Sequence, residues 1–142
     1  MKIFAYNDIT KIFANSEVGG FKMTNIKRGI KEKSIKRGEV WYAELPKVGD
    51  SIQYGARPVL IISNDYCNKY SSVITVIPLT SVHKKKKQPT HIYIQHTELK
   101  GSVAICEQII TISKKRINRK ICEVPSNDMN RIERGIKVQI GI

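Results

Sequence analysis

The chain has 142 residues, of which 41% are hydrophobic and 26% charged, and this fits one domain with a buried core. Its net charge is +13, and so basic a surface attracts polyanions, nucleic acid first and anionic membrane second. No apolar run approaches the roughly 20 residues of a membrane span, and the three scattered cysteines form neither a disulfide framework nor a zinc site. The N-terminus lacks the unbroken apolar stretch of a signal peptide, so we expect a cytoplasmic protein without a metal.

The N-terminal half begins with an extension and continues with strand patterns. Residues 1–35 show little periodicity, and we expect an N-terminal extension of uncertain order before a domain covering 36–142. Residues 38–45 place Val40, Tyr42 and Glu44 on one side of an extended chain and Trp41, Ala43 and Leu45 on the other, which predicts a strand with one face more buried. Residues 46–56 contain two Gly, a Pro and an Asp, so they are predicted to be a long loop. The apolar run at 58–63 predicts a central strand with its proline at the start, where a missing N–H is tolerated.

The middle of the chain continues this pattern. Residues 64–70 are predicted to be a loop or one helical turn, with Asn64 or Asp65 as the cap. A strand is predicted at 72–79, followed by a polar and strongly basic loop, and another short strand at 91–95.

The C-terminal part holds the last strands and one helix. Residues 102–113 are predicted to form one long strand, or two strands divided near Gln108. From Ser126, which can cap a helix, apolar residues recur at helical spacing, although Gly135 weakens that helix by roughly 1 kcal/mol relative to Ala. The apolar positions are Met129, Ile132, Ile136 and Ile140. Short strands joined by loops and followed by one helix predict a small antiparallel barrel or curled sheet.

Five segments carry a resemblance, in the order KRGEVWYAEL, GARPVLIISND, VIPLTS, PTHIYI and SVAICEQIITISKKRI. Together they resemble the MazF/PemK family of toxin endoribonucleases over about residues 36–142. The resemblance implies a mainly β, SH3-like small antiparallel barrel with a C-terminal α-helix, working as a homodimer. It further implies sequence-specific cleavage of single-stranded mRNA without a metal or other cofactor, and inhibition by a cognate MazE-like antitoxin, with which such toxins also bind DNA.

The resemblance makes Arg57 and Thr80 the catalytic pair. The RNA supplies the nucleophile, its 2′-hydroxyl, and the attack yields a 2′,3′-cyclic phosphate. Arg57 suits the stabilisation of the dianionic phosphorane, because its planar fork is always charged and offers paired donors. The Thr80 hydroxyl can donate to a phosphate oxygen or hold the scissile group in line. From the residues alone, Arg57 could instead pair with Asp50 or Glu107, and Thr80 could bond a turn.

The general base is not fixed by the resemblance. Several family members carry a glutamate five residues before the catalytic arginine, but Ile52 holds that position here. Base catalysis then falls to Asp50, to Glu107 or to no side chain. His83 and His91 are further candidates, because imidazole is the side-chain group most suited to proton transfer near neutral pH. The family does not rely on a histidine pair throughout, however, and we expect His91 to be a half-exposed strand residue.

The RNA-binding surface is predicted from side chains that can stack on bases, bond base edges or bind phosphates. Its residues are Gln53, Tyr54, Asn64, Ser81, His83, Lys84, Glu107 and Gln108. The basic run at 83–87 either holds flanking phosphates or is a solvated loop. A second run at 114–120 is either another basic patch or a charged strand edge that resists aggregation.

Other functions remain open at this point. Gyrase-binding toxins resembling CcdB share the barrel but act through C-terminal residues that include a terminal tryptophan, whereas the single tryptophan here is Trp41. A non-catalytic SH3-like RNA- or ribosome-binding module is kept open by Ile52, as is an inactive relative retained as a decoy. RNA cleavage with Arg57→Ala and Thr80→Ala as controls separates the enzyme from these alternatives.

Overall fold

The computed structural model describes residues 33–81 and 88–142. His83, Lys84 and most of the predicted N-terminal extension lie outside these ranges. Within them the chain forms seven strands, two α-helices and three short 3₁₀ turns. The strands are β1 (Glu39–Leu45), β2 (Gly55–Ile61), β3 (Val73–Thr80), β4 (His91–Tyr93), β5 (Val103–Ile105), β6 (Ile110–Ser113) and β7 (Ile117–Glu123). The helices are α1 (Asp65–Tyr70) and α2 (Ser126–Ile140), and the turns are Thr97–Leu99, Cys106–Gln108 and Lys114–Arg116.

The strands form one antiparallel sheet in the order β4-β5-β3-β2-β1-β7, with β6 also paired to β3. Two strands pair with the same edge of β3: β6 pairs with its first half, and β5 pairs with its last two residues. Strands β5 and β6 therefore follow one another along that edge and are separated by the Cys106–Gln108 turn. This confirms the predicted division near Gln108, and the sheet with its C-terminal helix confirms the predicted fold class.

Both faces of the sheet are covered by apolar side chains, because alternate residues of the central strands point to opposite sides. Leu60 and Ile77 belong to a core that includes Ile132 of α2. Their neighbours Val59 and Val76 belong to a second core on the other face. The remaining buried members of this second core are Ile35, Trp41, Ala43, Leu45, Ile61, Ile74, Ile112 and Ile117.

Helix α2 differs from its prediction at both ends. Ser126 was expected to cap the helix, but this is wrong: Ser126 is its first residue, and Pro125 occupies the cap position without a side-chain hydrogen bond. The Pro125 carbonyl accepts from the Met129 N–H at 3.0 Å. Ile132 is fully buried, whereas Ile140 is 56% exposed, so the apolar stripe that packs on the sheet ends before the helix does.

Gly135 lies where α2 crosses β4 and the Cys106–Gln108 turn. A Cβ atom at this position would lie 2.9 Å from the Cys106 Sγ and 3.2 Å from the Ile92 Cγ1. The glycine that lowers the helix propensity of α2 is therefore what allows the helix backbone to approach the sheet this closely.

Helix α1 begins as predicted, because the Asn64 side chain accepts from the Cys67 N–H at 2.8 Å. The three cysteines are free thiols. Burial, followed by the nearby Glu107 charge, raises the pKa of Cys106 to about 12, so this thiol stays protonated. No helix in the described ranges is both long and apolar enough to cross a membrane.

A buried carboxylate joins the first and last strands. Glu39 is 4% exposed and accepts hydrogen bonds from the Trp41 Nε1 at 2.8 Å and the Lys120 Nζ at 2.8 Å. The Lys36 N–H donates to the same carboxylate at 2.9 Å. Burial acts to raise the pKa of Glu39, but these donors outweigh it, Lys120 first, and hold that pKa below its ordinary value.

Candidate active site

Arg57 lies within β2, because the strand begins three residues earlier than the sequence predicted. Its guanidinium folds back onto the preceding loop. The Nε atom donates to the Tyr54 carbonyl at 2.8 Å, and the Nη1 atom donates to the Gln53 side-chain oxygen. A strand backbone and two neutral acceptors therefore fix the position of the guanidinium.

The charge of Arg57 is not neutralised within the described part of the chain. No carboxylate in residues 33–81 or 88–142 forms an ion pair with it, so neither Asp50 nor Glu107 is the partner considered above. A half-buried guanidinium that is held by neutral acceptors can bind an anion such as a phosphate.

Thr80 lies on the strand next to that of Arg57. The pairing of β2 with β3 ends where Val59 meets Pro78, and Arg57 and Thr80 each lie two residues beyond this last pair, at the same end of the two strands. Because side chains alternate along a strand, both share the face to which Val59 and Pro78 point. That face is the one away from α2, because the adjacent Leu79 packs in the core beneath the helix. Two residues predicted as a catalytic pair are therefore neighbours at one end of the sheet.

The loop before β2 is fixed by one side chain from the Cys106–Gln108 turn. The Gln108 Oε1 accepts from the Gln53 N–H at 2.8 Å, and the Gln108 Nε2 donates to the Ser51 carbonyl at 3.0 Å. The Tyr54 ring is 46% exposed, and the Lys47 Nζ lies 5.3 Å from its centroid. The loop thus presents an aromatic face beside Arg57, and the side-chain amides of Gln53 and Gln108 hold the loop and the guanidinium in place.

A histidine–glutamate pair lies on the other flank of this turn. The His91 Nε2 is 2.6 Å from the Glu107 Oε1, although the two residues are 16 apart in the sequence. The Glu107 Oε2 is buried and has no hydrogen-bond partner within the described ranges. Burial acts to raise the pKa of Glu107, but its own backbone N–H and then His91 outweigh burial and lower that pKa.

Sequence reasoning considered His91 and Glu107 separately and did not pair them. The pair forms because His91 lies opposite Ile105 in the β4–β5 register, and the chain turns immediately after Ile105. The sequence features that point to the pair are His91 at the start of the predicted strand 91–95 and Glu107 in the middle of the next predicted strand segment, 102–113.

The other predicted site residues divide into three groups. Gln53, Tyr54, Glu107 and Gln108 lie at the same end of the sheet as Arg57, and Ser81 follows Thr80 directly and is exposed. Asn64 lies beyond the opposite end of β2, and its side chain is engaged in capping α1. His83 and Lys84 lie outside the described residues.

The basic run at 114–120 makes contacts with the protein itself. Lys120 bridges Glu39 and Glu123, and the Arg119 guanidinium lies 4.5 Å from the centroid of the Tyr42 ring. Because β7 ends the order of paired strands, these contacts favour the interpretation of a charged strand edge.

Comparison with known proteins identifies the family and several proteins of similar structure. The family model described as PemK-like, MazF-like toxin of type II toxin-antitoxin system matches residues 36–140. An endoribonuclease in complex with its cognate antitoxin from a mycobacterial species is similar, with a TM-score of 0.65 and 24% identity over 76% of this chain and 96% of that one. MazF from Deinococcus radiodurans has a TM-score of 0.69 and 16% identity over 78% of this chain and 100% of that one. The Mycobacterium tuberculosis toxin MazF-mt6 has a TM-score of 0.60 and 19% identity over 73% of this chain and 97% of that one.

At these identities the structures show a shared fold, and the family model covers most of the chain. The chain therefore belongs to the PemK-like, MazF-like toxins of type II toxin–antitoxin systems.

Proposed function

We propose that this toxin is a sequence-specific endoribonuclease that cleaves single-stranded mRNA in the cytoplasm without a metal and so inhibits translation. The observation that carries the proposal is the Arg57 guanidinium, which is held by neutral acceptors at the same end of the sheet as Thr80 and has no carboxylate ion-pair partner in the described ranges. The net charge of +13 and the similarity to solved endoribonucleases support it.

The chemistry requires little from the protein beyond position and charge. The 2′-oxygen attacks the adjacent phosphorus, the bond to the 5′-oxygen breaks, and the products carry a 2′,3′-cyclic phosphate and a 5′-hydroxyl. Arg57 stabilises the charge that develops on the phosphorane oxygens, and the Gln53 and Tyr54 contacts keep it in place before the substrate arrives. Thr80 donates to a phosphate oxygen and aligns the scissile group.

Recognition of the RNA is assigned to the loop before β2 and the Cys106–Gln108 turn. Tyr54 offers a ring on which a base can stack, and Gln53 and Gln108 line the same end of the sheet, whereas the Glu107 carboxylate contacts His91. Ser81, His83 and Lys84 complete the predicted surface beyond Thr80. The Asn64 side chain caps α1, and its contact with RNA stays a prediction.

The oligomeric state and the inhibitory partner are proposed by analogy with the relatives. We propose a homodimer inhibited by a cognate MazE-like antitoxin, because a solved relative is in complex with its cognate antitoxin and another is a MazE-MazF complex. An acidic antitoxin segment that binds Arg57 would exclude RNA from the same cation. We keep 36–142 as the toxin domain and 1–35 as an extension.

The test is cleavage of a mixed-sequence RNA in EDTA, with mapping of cut sites and product ends. Removing one preorganised charge-stabilising group costs about 10²–10³ in rate, so Arg57→Ala should lose at least that factor and Arg57→Lys should recover part of it. Thr80→Ala should also slow cleavage, and Thr80→Ser should largely retain it. Arg119→Ala is the matched control, because that arginine contacts a tyrosine ring and not the site.

Two outcomes would contradict the proposal. Folded wild-type protein that binds RNA but leaves it intact would be a non-catalytic RNA-binding module. Inhibition of gyrase supercoiling without RNA cleavage would establish the gyrase-binding alternative.

A further inference from the structure

Asp50 is exposed in the loop before β2, but no ion pair within the described residues joins its carboxylate to Arg57. Ile52 holds the loop position at which the family resemblance implies a glutamate, and it is 41% exposed. We propose that His91 is the general base that removes the 2′-hydroxyl proton and that Glu107 is its positioning residue. This inference rests on the proposed ribonuclease activity and adds a catalytic group to the same site.

Both oxygens of Glu107 are unavailable to a substrate. Oε1 is engaged by the His91 Nε2 at 2.6 Å, and Oε2 is buried. The lowered pKa of Glu107 also makes it a weak base and a good counter-ion. The carboxylate therefore serves the imidazole and not the substrate directly.

The same contact selects the form of His91 that can accept a proton. An ionised carboxylate only accepts hydrogen bonds, so Nε2 carries the hydrogen and the lone pair is left on Nδ1. Nδ1 has no hydrogen-bond partner among the residues that the structure describes, and the His91 side chain is 19% exposed. A carboxylate that holds an imidazole in one tautomer and stabilises the imidazolium is an established arrangement for proton transfer.

His91 lies on the same face of the sheet as Arg57 and Thr80. Its neighbour Ile92 packs against the core under α2, so alternation turns His91 to the opposite face. Thr80 pairs with Val103, and Val103 pairs with Tyr93, two residues along β4 from His91.

The separation across the sheet suits a nucleotide. Two strand spacings and two residues place the Cα atom of His91 roughly 12 Å from that of Thr80 in a flat sheet. A ribose and its phosphate fit between the side chains of His91 and Thr80 at that separation, with Arg57 on the strand beyond Thr80.

The step balances without any further reactant. His91 Nδ1 takes the 2′-hydroxyl proton while the 2′-oxygen bonds to phosphorus and the bond to the 5′-oxygen breaks. The electron pair of that bond leaves on the 5′-oxygen, which takes a proton from water. The resulting hydroxide is neutralised when His91 releases its proton. Glu107 remains ionised throughout and keeps its hydrogen bond to Nε2.

The experiment measures single-turnover cleavage of an RNA oligomer containing the motif that wild type cuts. Loss of a general base typically costs 10²–10⁴-fold, so we expect His91→Ala to fall by at least about 100-fold. Affinity for the same oligomer with a 2′-deoxy substitution at the cut site should not change. Added imidazole should restore part of the rate, and more basic substituted imidazoles should restore more. The control is His96→Ala, since His96 caps a 3₁₀ turn and should show neither the loss nor the rescue.

Two further measurements test the assigned roles. Glu107→Gln should lower the rate with unchanged oligomer affinity and thermal midpoint, and the double variant with His91→Ala should be no slower than His91→Ala alone. An oligomer whose 5′-bridging oxygen is replaced by sulfur needs no proton on its leaving group. The His91→Ala defect should persist with this oligomer.

Several results would overturn the inference. Near-normal cleavage by His91→Ala would do so, as would a folded and RNA-binding His91→Ala variant that imidazole does not rescue. Full recovery of the His91→Ala cleavage rate with the sulfur-bridged oligomer would instead make His91 the general acid. An additional loss in the double variant would show that Glu107 acts independently. If wild type itself does not cleave, the proposed function fails and this inference fails with it, which is distinct from a failure confined to His91.

Discussion

Replacing Gly135 with alanine sets two effects of known size against each other. Alanine raises the helix propensity of an interior position by about 1 kcal/mol relative to glycine. The added Cβ atom, however, would lie 2.9 Å from the Cys106 Sγ and 3.2 Å from the Ile92 Cγ1, and forcing an extra methyl into a packed core costs about 1–3 kcal/mol. We expect packing to prevail, so Gly135→Ala should lower the free energy of unfolding by about 1 kcal/mol.

Urea unfolding of four proteins measures this balance: wild type, Gly135→Ala, Cys106→Ala and the double variant. Without the Cys106 sulfur the closest contact disappears, so Gly135→Ala should become neutral or stabilising in that background, with a coupling of about 1–2 kcal/mol. Asn130→Ala compared with Asn130→Gly is the control, because Asn130 is exposed on the same helix and should show the propensity difference alone. If Gly135→Ala stabilises the wild-type protein by the full propensity difference, the helix does not pack as closely as described and the reasoning is refuted.

Three further predictions concern a cap, a buried carboxylate and an exposed ring. Asn64→Ala should lower the free energy of unfolding by about 1 kcal/mol, whereas Asn64→Asp should preserve the cap. Neither variant should change RNA cleavage, and a loss of cleavage without a loss of stability would show that Asn64 contacts RNA. Because the pKa of Glu39 is lowered on folding, its contribution to stability is complete above the ordinary value of 4.5 and is lost as pH falls through the lower folded value. Acid unfolding followed by fluorescence should therefore show a weaker pH dependence below 4.5 for Glu39→Gln than for wild type, and equal slopes would contradict this. Tyr54→Ala should weaken binding of a non-cleavable oligomer by about 1–3 kcal/mol and Tyr54→Phe by much less, whereas equal losses would show that the hydroxyl matters more than stacking.

Much of the fold could be predicted because its determinants are local. The Asn64 cap follows from a residue type placed directly before a helical turn, and the two-sided burial of β2 follows from a continuous apolar run. The start of α2 was misassigned for a local reason as well. Serine is a strong capping residue, but the preceding Pro125 has the extended backbone of a cap and leaves Ser126 as the first helical position.

The site could be predicted only in part, because its contacts are long-range. The motifs predict Arg57 and Thr80, but neither segment alone shows the strand pairing that brings both residues to the same end of the sheet. The His91–Glu107 contact depends on the turn after β5, and no periodicity predicts the direction of a side chain in such a turn. The exposure of Ile140 had the same origin, because the pattern predicts an apolar face but not where the sheet beneath it ends.

The Gln108 amide contacts the loop before β2 only through the loop's main chain. It donates to the Ser51 carbonyl and accepts from the Gln53 N–H, two groups that almost every amino acid provides. The path of the loop is therefore specified separately from the side chains at Ser51, Ile52 and Tyr54. Substitutions at those positions can change which bases are preferred while the support of the arginine stays intact. In evolutionary terms, the loop can acquire new target sequences without requiring a new fold.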